Sequence, residues 1–166
     1  MDNDEDSFIG EKNVQRVEQI IKTYNLKAEI IRTDEPITSL ESHLNRFGGT
    51  AEQVLKCLCM VSEGKPLVVM ASGEIRIDTK KLSKISGLKD IRMARSEELE
   101  PLFGRIPGGV DALTIAKVIP LFADEKLFEK EWVLGSAGSP YAGLKLNPKE
   151  ILKVQQPIIA DLAKGN

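Results

Sequence analysis

The sequence predicts a single compact α+β domain with a curved, mixed or mainly antiparallel sheet and flanking short helices. Strand-like and helix-like stretches interleave without the regular alternation of a doubly wound sheet. Residues 66–72 form an apolar run of the kind found in a strand buried on both faces. A chain of 166 residues with 42% hydrophobic content has the size of one ordinary domain and can bury its own core without staples.

Each element has a local reason. Residues 1–7 hold four acids and no base and lead into no signal-like apolar core, so residues 1–10 read as a flexible acidic tail and 11–166 as the folded domain. Val14, Val17, Ile20, Ile21 and Tyr24 recur at helical spacing within residues 11–25. Residues 28–32 read as a strand. Thr38-Ser39-Leu40-Glu41 has capping-box spacing for a helix that carries Leu40, Leu44 and Phe47 and stops at Gly48-Gly49, with His43 placed off that stripe on a polar face. Thr50-Ala51-Glu52-Gln53 repeats the capping signal at a short turn. Glu63-Gly64-Lys65 separates residues 55–62 from 66–72 as a hairpin turn. Alternation then sets Lys56 with Leu58 and Met60, opposite Leu55, Cys57, Cys59 and Val61. Asp78-Thr79 caps a helix ended by Gly87, and Ser96 caps another ended by Gly104. Further strands are expected at 91–94, 117–123, 132–134 and 143–146. Asn147-Pro148-Lys149-Glu150 starts a last helix, with proline at its first position and glutamate at its third.

Charge and cysteine content narrow the function classes. The net charge is -2, but outside the first seven residues 21 of the 25 acids face all 23 bases. Between residues 76 and 95, Arg76, Lys80, Lys81, Lys84, Lys89, Arg92 and Arg95 stand against only Asp78 and Asp90. That segment is either a seat for a phosphate backbone or a solvated helix face. Cys57 and Cys59 point to the same face of one strand, so they cannot bridge and read as core residues. With His43 the only histidine, the donors fall short of the four that zinc takes, and no metal is expected. The longest uncharged apolar stretches, 66–71 and 118–123, are far below the roughly 20 residues that cross a bilayer, and the protein is expected to be soluble and cytoplasmic.

The chemistry centres on Lys56, which interrupts the apolar run from Val54 to Val61. An ammonium in a core-like strand is desolvated, which lowers its pKa and strengthens its pull on an anion or carbonyl. Two glycine-bearing loops follow, Gly104-Arg105-Ile106-Pro107-Gly108-Gly109-Val110 and Gly135-Ser136-Ala137-Gly138. Neither has the glycine spacing of a phosphate-binding loop or a dinucleotide fingerprint, so no nucleotide cofactor is expected. No serine sits in a nucleophile elbow. Such loops expose backbone N–H groups to an oxyanion or carbonyl oxygen; they also occur as plain tight turns and close-packed strand ends.

In this order, these segments resemble the YbaK/ProX family of aminoacyl-tRNA deacylases, related to the editing insertion of bacterial prolyl-tRNA synthetases, over about residues 38–154. Gln53-Val54-Leu55-Lys56-Cys57-Leu58 is similar to the family's pocket-lysine segment, and Asp78-Thr79-Lys80-Lys81-Leu82 to an aspartate preceding a lysine-bearing helix. Residues 104–110 are similar to the Gly-Gly loop, Pro120-Leu121-Phe122-Ala123-Asp124 to a strand ending in aspartate, and residues 135–138 to the Ser-Gly-Gly type loop. The resemblance implies a YbaK-like domain that hydrolyses the ester of a wrongly attached amino acid, with no metal or cofactor. Lys56 would hold the ribose-phosphate end or the aminoacyl group. N–H groups near Gly108, Gly109 and Ala137 would stabilise the carbonyl oxygen, with water attacking, and Asp124 would be a fallback base or a structural cap. Pro107, Val110, Asp111, Ser136 and Gly138 would complete the substrate site, and Lys80, Lys81 and Lys84 would meet tRNA, with a synthetase as a further partner. The substrate implied is tRNA for proline bearing alanine or cysteine. The chain departs from the family at Cys57, often threonine, and at Asp111-Ala112, where Ser-Pro is usual. Residues 139–143 also lack the histidine that the synthetase insertions can carry. A non-catalytic tRNA- or synthetase-binding module and an unrelated small-molecule binding domain are the competing readings.

Overall fold

The computed structural model describes residues 4–115 and 119–165. Its first helix, α1 (Asp4–Thr23), starts earlier than the apolar spacing predicts. Asp4, Glu5 and Asp6 sit in its first turn, where carboxylates offset the positive end of the helix dipole. The acidic segment expected as a tail is therefore helical from Asp4 onward. The helix buries Val14 and Val17, and it passes so close to the loop at 135–138 that a Cβ on Gly138 would stand 2.9 Å from Asn13 Cβ.

β1 (Ala28–Arg32) lies where alternation places it. α2 (Leu40–Phe47) is capped one residue later than expected: the Ser42 N–H donates to Ser39 Oγ and the Ser39 N–H to Ser42 Oγ, each at 3.0 Å. β2 (Leu55–Ser62) and β3 (Lys65–Ser72) form the expected hairpin, with Glu63 and Gly64 both at positive φ (50° and 81°), as a two-residue turn with matching twist requires. α3 (Thr79–Ser86) is capped by Asp78 and closed by left-handed Gly87. Beyond β4 (Arg92–Met93), α4 (Ser96–Phe103) takes Arg95 rather than Ser96 as its cap, because Glu98 accepts the Arg95 N–H at 2.8 Å. β5 (Leu121–Asp124) covers the described end of the strand expected at 117–123; residues 117 and 118 lie outside the described ones. β6 (Val133–Ser139), β7 (Ala142–Leu146), a 3-10 turn at Pro148–Lys153 in place of the expected last helix, and β8 (Ile158–Ala160), which no sequence signal announced, complete the chain.

The strands form two sheets where one curved sheet was expected. One is antiparallel in the order β1-β7-β6; the other is mixed, β4-β2-β3-β5-β8, with β3, β5 and β8 parallel. They meet where Val54 bridges Leu134. The meeting needs Gly135, since a Cβ there would stand 2.7 Å from the Leu55 carbonyl oxygen. The β2-β3 hairpin is sandwiched between two cores: Leu55, Cys59, Val68 and Met70 pack with α1 and the antiparallel sheet, while Met60, Leu67 and Val69 pack with Leu82, Phe122 and Leu162. That two-sided burial explains the unbroken apolar run of β3, each large side chain of which contributes roughly 1.5–3 kcal/mol. Among the described residues no helix is long and apolar enough to cross a membrane.

Candidate functional site

Lys56 is the second residue of β2, on the strand face it shares with Leu58, which packs on the second core, and it is half-buried near the strand's start. Its ammonium donates to the carbonyl oxygens of Ile75 and Gly73. Burial lowers its pKa from the usual lysine value; the Glu74 charge opposes this and Arg76 adds to it. Glu74 itself is bonded to Ser72 Oγ at 2.9 Å and paired with Lys130 at 3.4 Å, so among the described residues no carboxylate is in ion-pair contact with Lys56. A desolvated cation held only by neutral carbonyls keeps its attraction for an incoming anion or ester.

Lys56 borders a cleft of about 440 Å³ whose other walls include Ser39, Leu40, His43, Gly108, Val110 and Ser136. The first glycine loop reaches it as a tight turn. Pro107 and Gly108 occupy the centre, Gly108 at φ 77°, and the Gly109 N–H closes the turn on the Ile106 carbonyl at 2.9 Å. Both ends of the loop are clamped beneath. Arg105, 6% exposed, donates through Nε to Asp111 Oδ1 at 3.2 Å, and Asp111, fully buried, also accepts the Leu113 and Thr114 N–H groups. Ser136 ties the second loop to the first: its hydroxyl donates to the Gly108 carbonyl at 2.9 Å and accepts the Gly138 N–H at 3.1 Å.

Of the residues singled out from sequence, Lys56, Gly108, Val110 and Ser136 therefore converge on one hollow. Pro107 holds the exposed corner of the turn. Gly109 sits behind it with its N–H already used, so it is no oxyanion donor. Asp111 is the buried clamp rather than a cleft wall. Ala137 is in the main core, and Gly138 faces α1 at φ 115°. Asp124 is not a base at this cleft: fully buried, it caps the turn at Glu125–Glu129 through the Lys126 N–H and accepts the Leu162 N–H at 2.9 Å. On α3, Lys80 and Lys84 are exposed, whereas Lys81 is bound to Asp161 at 3.0 Å and to the Ala163 carbonyl. Burial pushes the Cys59 thiol up to about 12 and the Cys57 thiol well above the usual value, so neither is a thiolate nucleophile at neutral pH.

His43 is the site residue that sequence reasoning misplaced. It is 7% exposed, lines the cleft, and meets the Phe47 ring edge-on at 5.1 Å. The signal was present: His43 stands three residues after Leu40 and four before Phe47, which puts all three on one helix face.

Gly109→Ala is expected to destabilise the protein by roughly 1–3 kcal/mol, because the new Cβ would stand 2.8 Å from the Gly138 carbonyl oxygen and 2.9 Å from Ile106 Cγ1. Thermal unfolding measures this; an unchanged midpoint would show that the two loops are not packed this tightly.

Known proteins resemble this chain in sequence and in fold. Residues 34–154 match the family model described as an aminoacyl-tRNA editing domain. EbsC of Enterococcus faecalis, named as a candidate Cys-tRNA(Pro)/Cys-tRNA(Cys) deacylase, is 29% identical over 125 residues, covering 75% of this chain and 76% of that protein. A proline–tRNA ligase of Aquifex aeolicus is 31% identical over 71 residues, 43% of this chain and 12% of the ligase. A solved structure described as a candidate trans-editing enzyme for prolyl tRNA synthetase superposes with a TM-score of 0.79 at 26% identity, over 92% of this chain and 98% of its own. The family match spans α2, Lys56 and both glycine loops, and the chain is a member of the aminoacyl-tRNA editing domain family.

Proposed function

We propose that this protein is a deacylase that hydrolyses the ester of a mischarged tRNA in trans, with tRNA for proline bearing alanine or cysteine as its substrate. The observation that carries the reading is Lys56, whose ammonium has no ion-pair contact with a carboxylate among the described residues, lining a cleft shared with Gly108 and Ser136. Lys56 holds the terminal ribose-phosphate or the aminoacyl carbonyl by charge. Water adds to the ester carbonyl, and the oxyanion is stabilised by the N–H groups of Gly108 and Val110, two cleft-lining residues of a loop whose Gly109 N–H closes the turn. The carbon–oxygen bond to the ribose then breaks, and the proton lost by the water passes to the departing ribose oxygen, relayed by the neighbouring ribose hydroxyl. Among the described residues no acidic side chain lines the cleft, and the substrate's own hydroxyl is the relay in this proposal. The need is physical: a synthetase gains only about 1–3 kcal/mol of discrimination per methylene, so near-isosteric amino acids require a second site. Such a substrate places the protein in the cytoplasm beside the synthetase that charges it.

Amino-acid release from a panel of mischarged tRNAs tests the reading. Release from the alanyl or cysteinyl form of proline tRNA above the uncatalysed rate is expected; no release from any substrate would leave a binding module in its place. The basic face of α3 is the proposed tRNA seat. Reversing Lys80 and Lys84 together to glutamate is expected to weaken tRNA binding about tenfold or more at low salt and to flatten the salt dependence by roughly one unit of slope per lost phosphate contact. An unchanged slope would move the RNA to another face.

A further inference from the structure

A second, smaller cavity of about 70 Å³ lies behind the cleft and shares three lining residues with it, His43, Leu55 and Ser136. Its far side is formed by Ile37, Phe47 and the backbone at Gly135 and Gly143. The volume is several times the roughly 10–15 Å³ that one water needs, enough for a side chain of two or three heavy atoms and too little for a leucine or an aromatic ring. Among the described residues, His43 is the only polar side chain on its wall apart from Ser136, and the Ser136 hydroxyl is already committed to the Gly108 carbonyl.

We propose that this rear cavity receives the side chain of the misattached amino acid and that His43 selects there for a small side chain ending in a hydroxyl or thiol. The inference rests on the deacylase reading above. The imidazole stands between cleft and cavity, and its edge-on contact with Phe47 fixes its plane. Burial lowers its pKa from the ordinary value, so at neutral pH it is uncharged and offers one donor and one acceptor to a partner such as a serine hydroxyl or a cysteine thiol. A methyl in the same place would bury that polar nitrogen without a partner, and this penalty lets a hydrogen-bonding pocket reject the apolar analogue far more strongly than a size filter can. Of the two amino acids proposed above, this selection favours cysteine and makes alanine the slower substrate; His43 is thus a specificity residue and takes no part in bond breaking.

The test is single-turnover deacylation of one tRNA charged in turn with cysteine, serine, alanine and leucine, by wild type, His43→Leu and His43→Gln. Wild type is expected to release cysteine or serine at least about tenfold faster than alanine and to leave leucine untouched. His43→Leu should collapse the ratio of polar to alanyl release to near unity, and His43→Gln, which keeps a hydrogen-bonding group, should restore part of it. Alanine released as fast as serine and cysteine by wild type would overturn the proposal, as would a His43→Leu variant that slows every substrate equally, the signature of a structural or general-base role. Efficient leucine release would show that the cavity does not set the size limit. Each of these outcomes still contains deacylation, so they are distinct from failure of the deacylase reading, which is absence of release from every substrate.

Discussion

Lys56→Ala is expected to slow deacylation about 10²–10³-fold while leaving the protein folded. The rate effect is that of removing one charge or donor aimed at the reacting centre in a partly dehydrated site. The fold survives because two effects oppose. Truncation relieves the cost of a half-buried cation, visible in its lowered pKa, but leaves the Gly73 and Ile75 carbonyls without their donor. The same shift fixes the pH dependence. An ammonium with a depressed pKa is present below that pKa and lost above it, so enzyme-dependent release should fall as pH rises through a midpoint below the usual 10.5, with Glu74 and Arg76 as the charges that tune it. Single-turnover rates corrected for spontaneous ester hydrolysis give both results. A Lys56→Ala variant as fast as wild type would remove this lysine from the mechanism.

Asp111→Ala is expected to be the most destabilising single change, at about 3–5 kcal/mol, because it leaves the Arg105 guanidinium charged and unpaired in the interior. It also removes the acceptor of the Leu113 and Thr114 N–H groups. For a chain of this size each kcal/mol moves the unfolding midpoint by roughly 2–4 °C, so a fall of roughly 6–20 °C is expected. Since Arg105 and Asp111 bracket the turn that carries Gly108, activity should fall even well below the new midpoint. Replacing both partners with apolar residues of similar volume, Arg105→Met with Asp111→Leu, should recover much of the stability. If Asp111→Ala melts within 2–3 °C of wild type, the clamp does not hold the loop.

The parts of this fold that were legible in the sequence are those fixed by local rules. Alternation along residues 55–62 assigned Lys56 and the two cysteines to the correct faces, and Asp78, Gly87 and Gly104 marked helix ends by chemistry that needs no distant partner. The convergence of Lys56, Gly108 and Ser136 was anticipated from family resemblance, whereas the clamp was not: Arg105 and Asp111 are six residues apart, a spacing that carries no signal until the intervening turn folds back. Gly109 had the same limit, since only the closed turn shows that its N–H is taken. β8 escaped notice because two of its three residues, Ile158 and Ile159, are exposed apolar residues on a sheet edge, with no alternation to read. His43 was expected on a polar face although the stripe of Leu40, Leu44 and Phe47 runs beside it, because a polar ring carries no apolar signal of its burial. The split into two sheets depends on a close approach at Gly135 that one residue type permits but does not announce.

If ester hydrolysis takes place where Lys56 meets the two glycine loops, a substrate mimic must bind there. Backbone amide shifts can be followed while a non-hydrolysable 3′-aminoacylamino adenosine is titrated in. Saturable perturbations centred on Lys56, Gly108, Val110 and Ser136 are expected, and their loss in Lys56→Ala. Perturbations centred instead on the separate hollow between α1 and α4, around Arg16, Leu102 and Ile115, would contradict that placement.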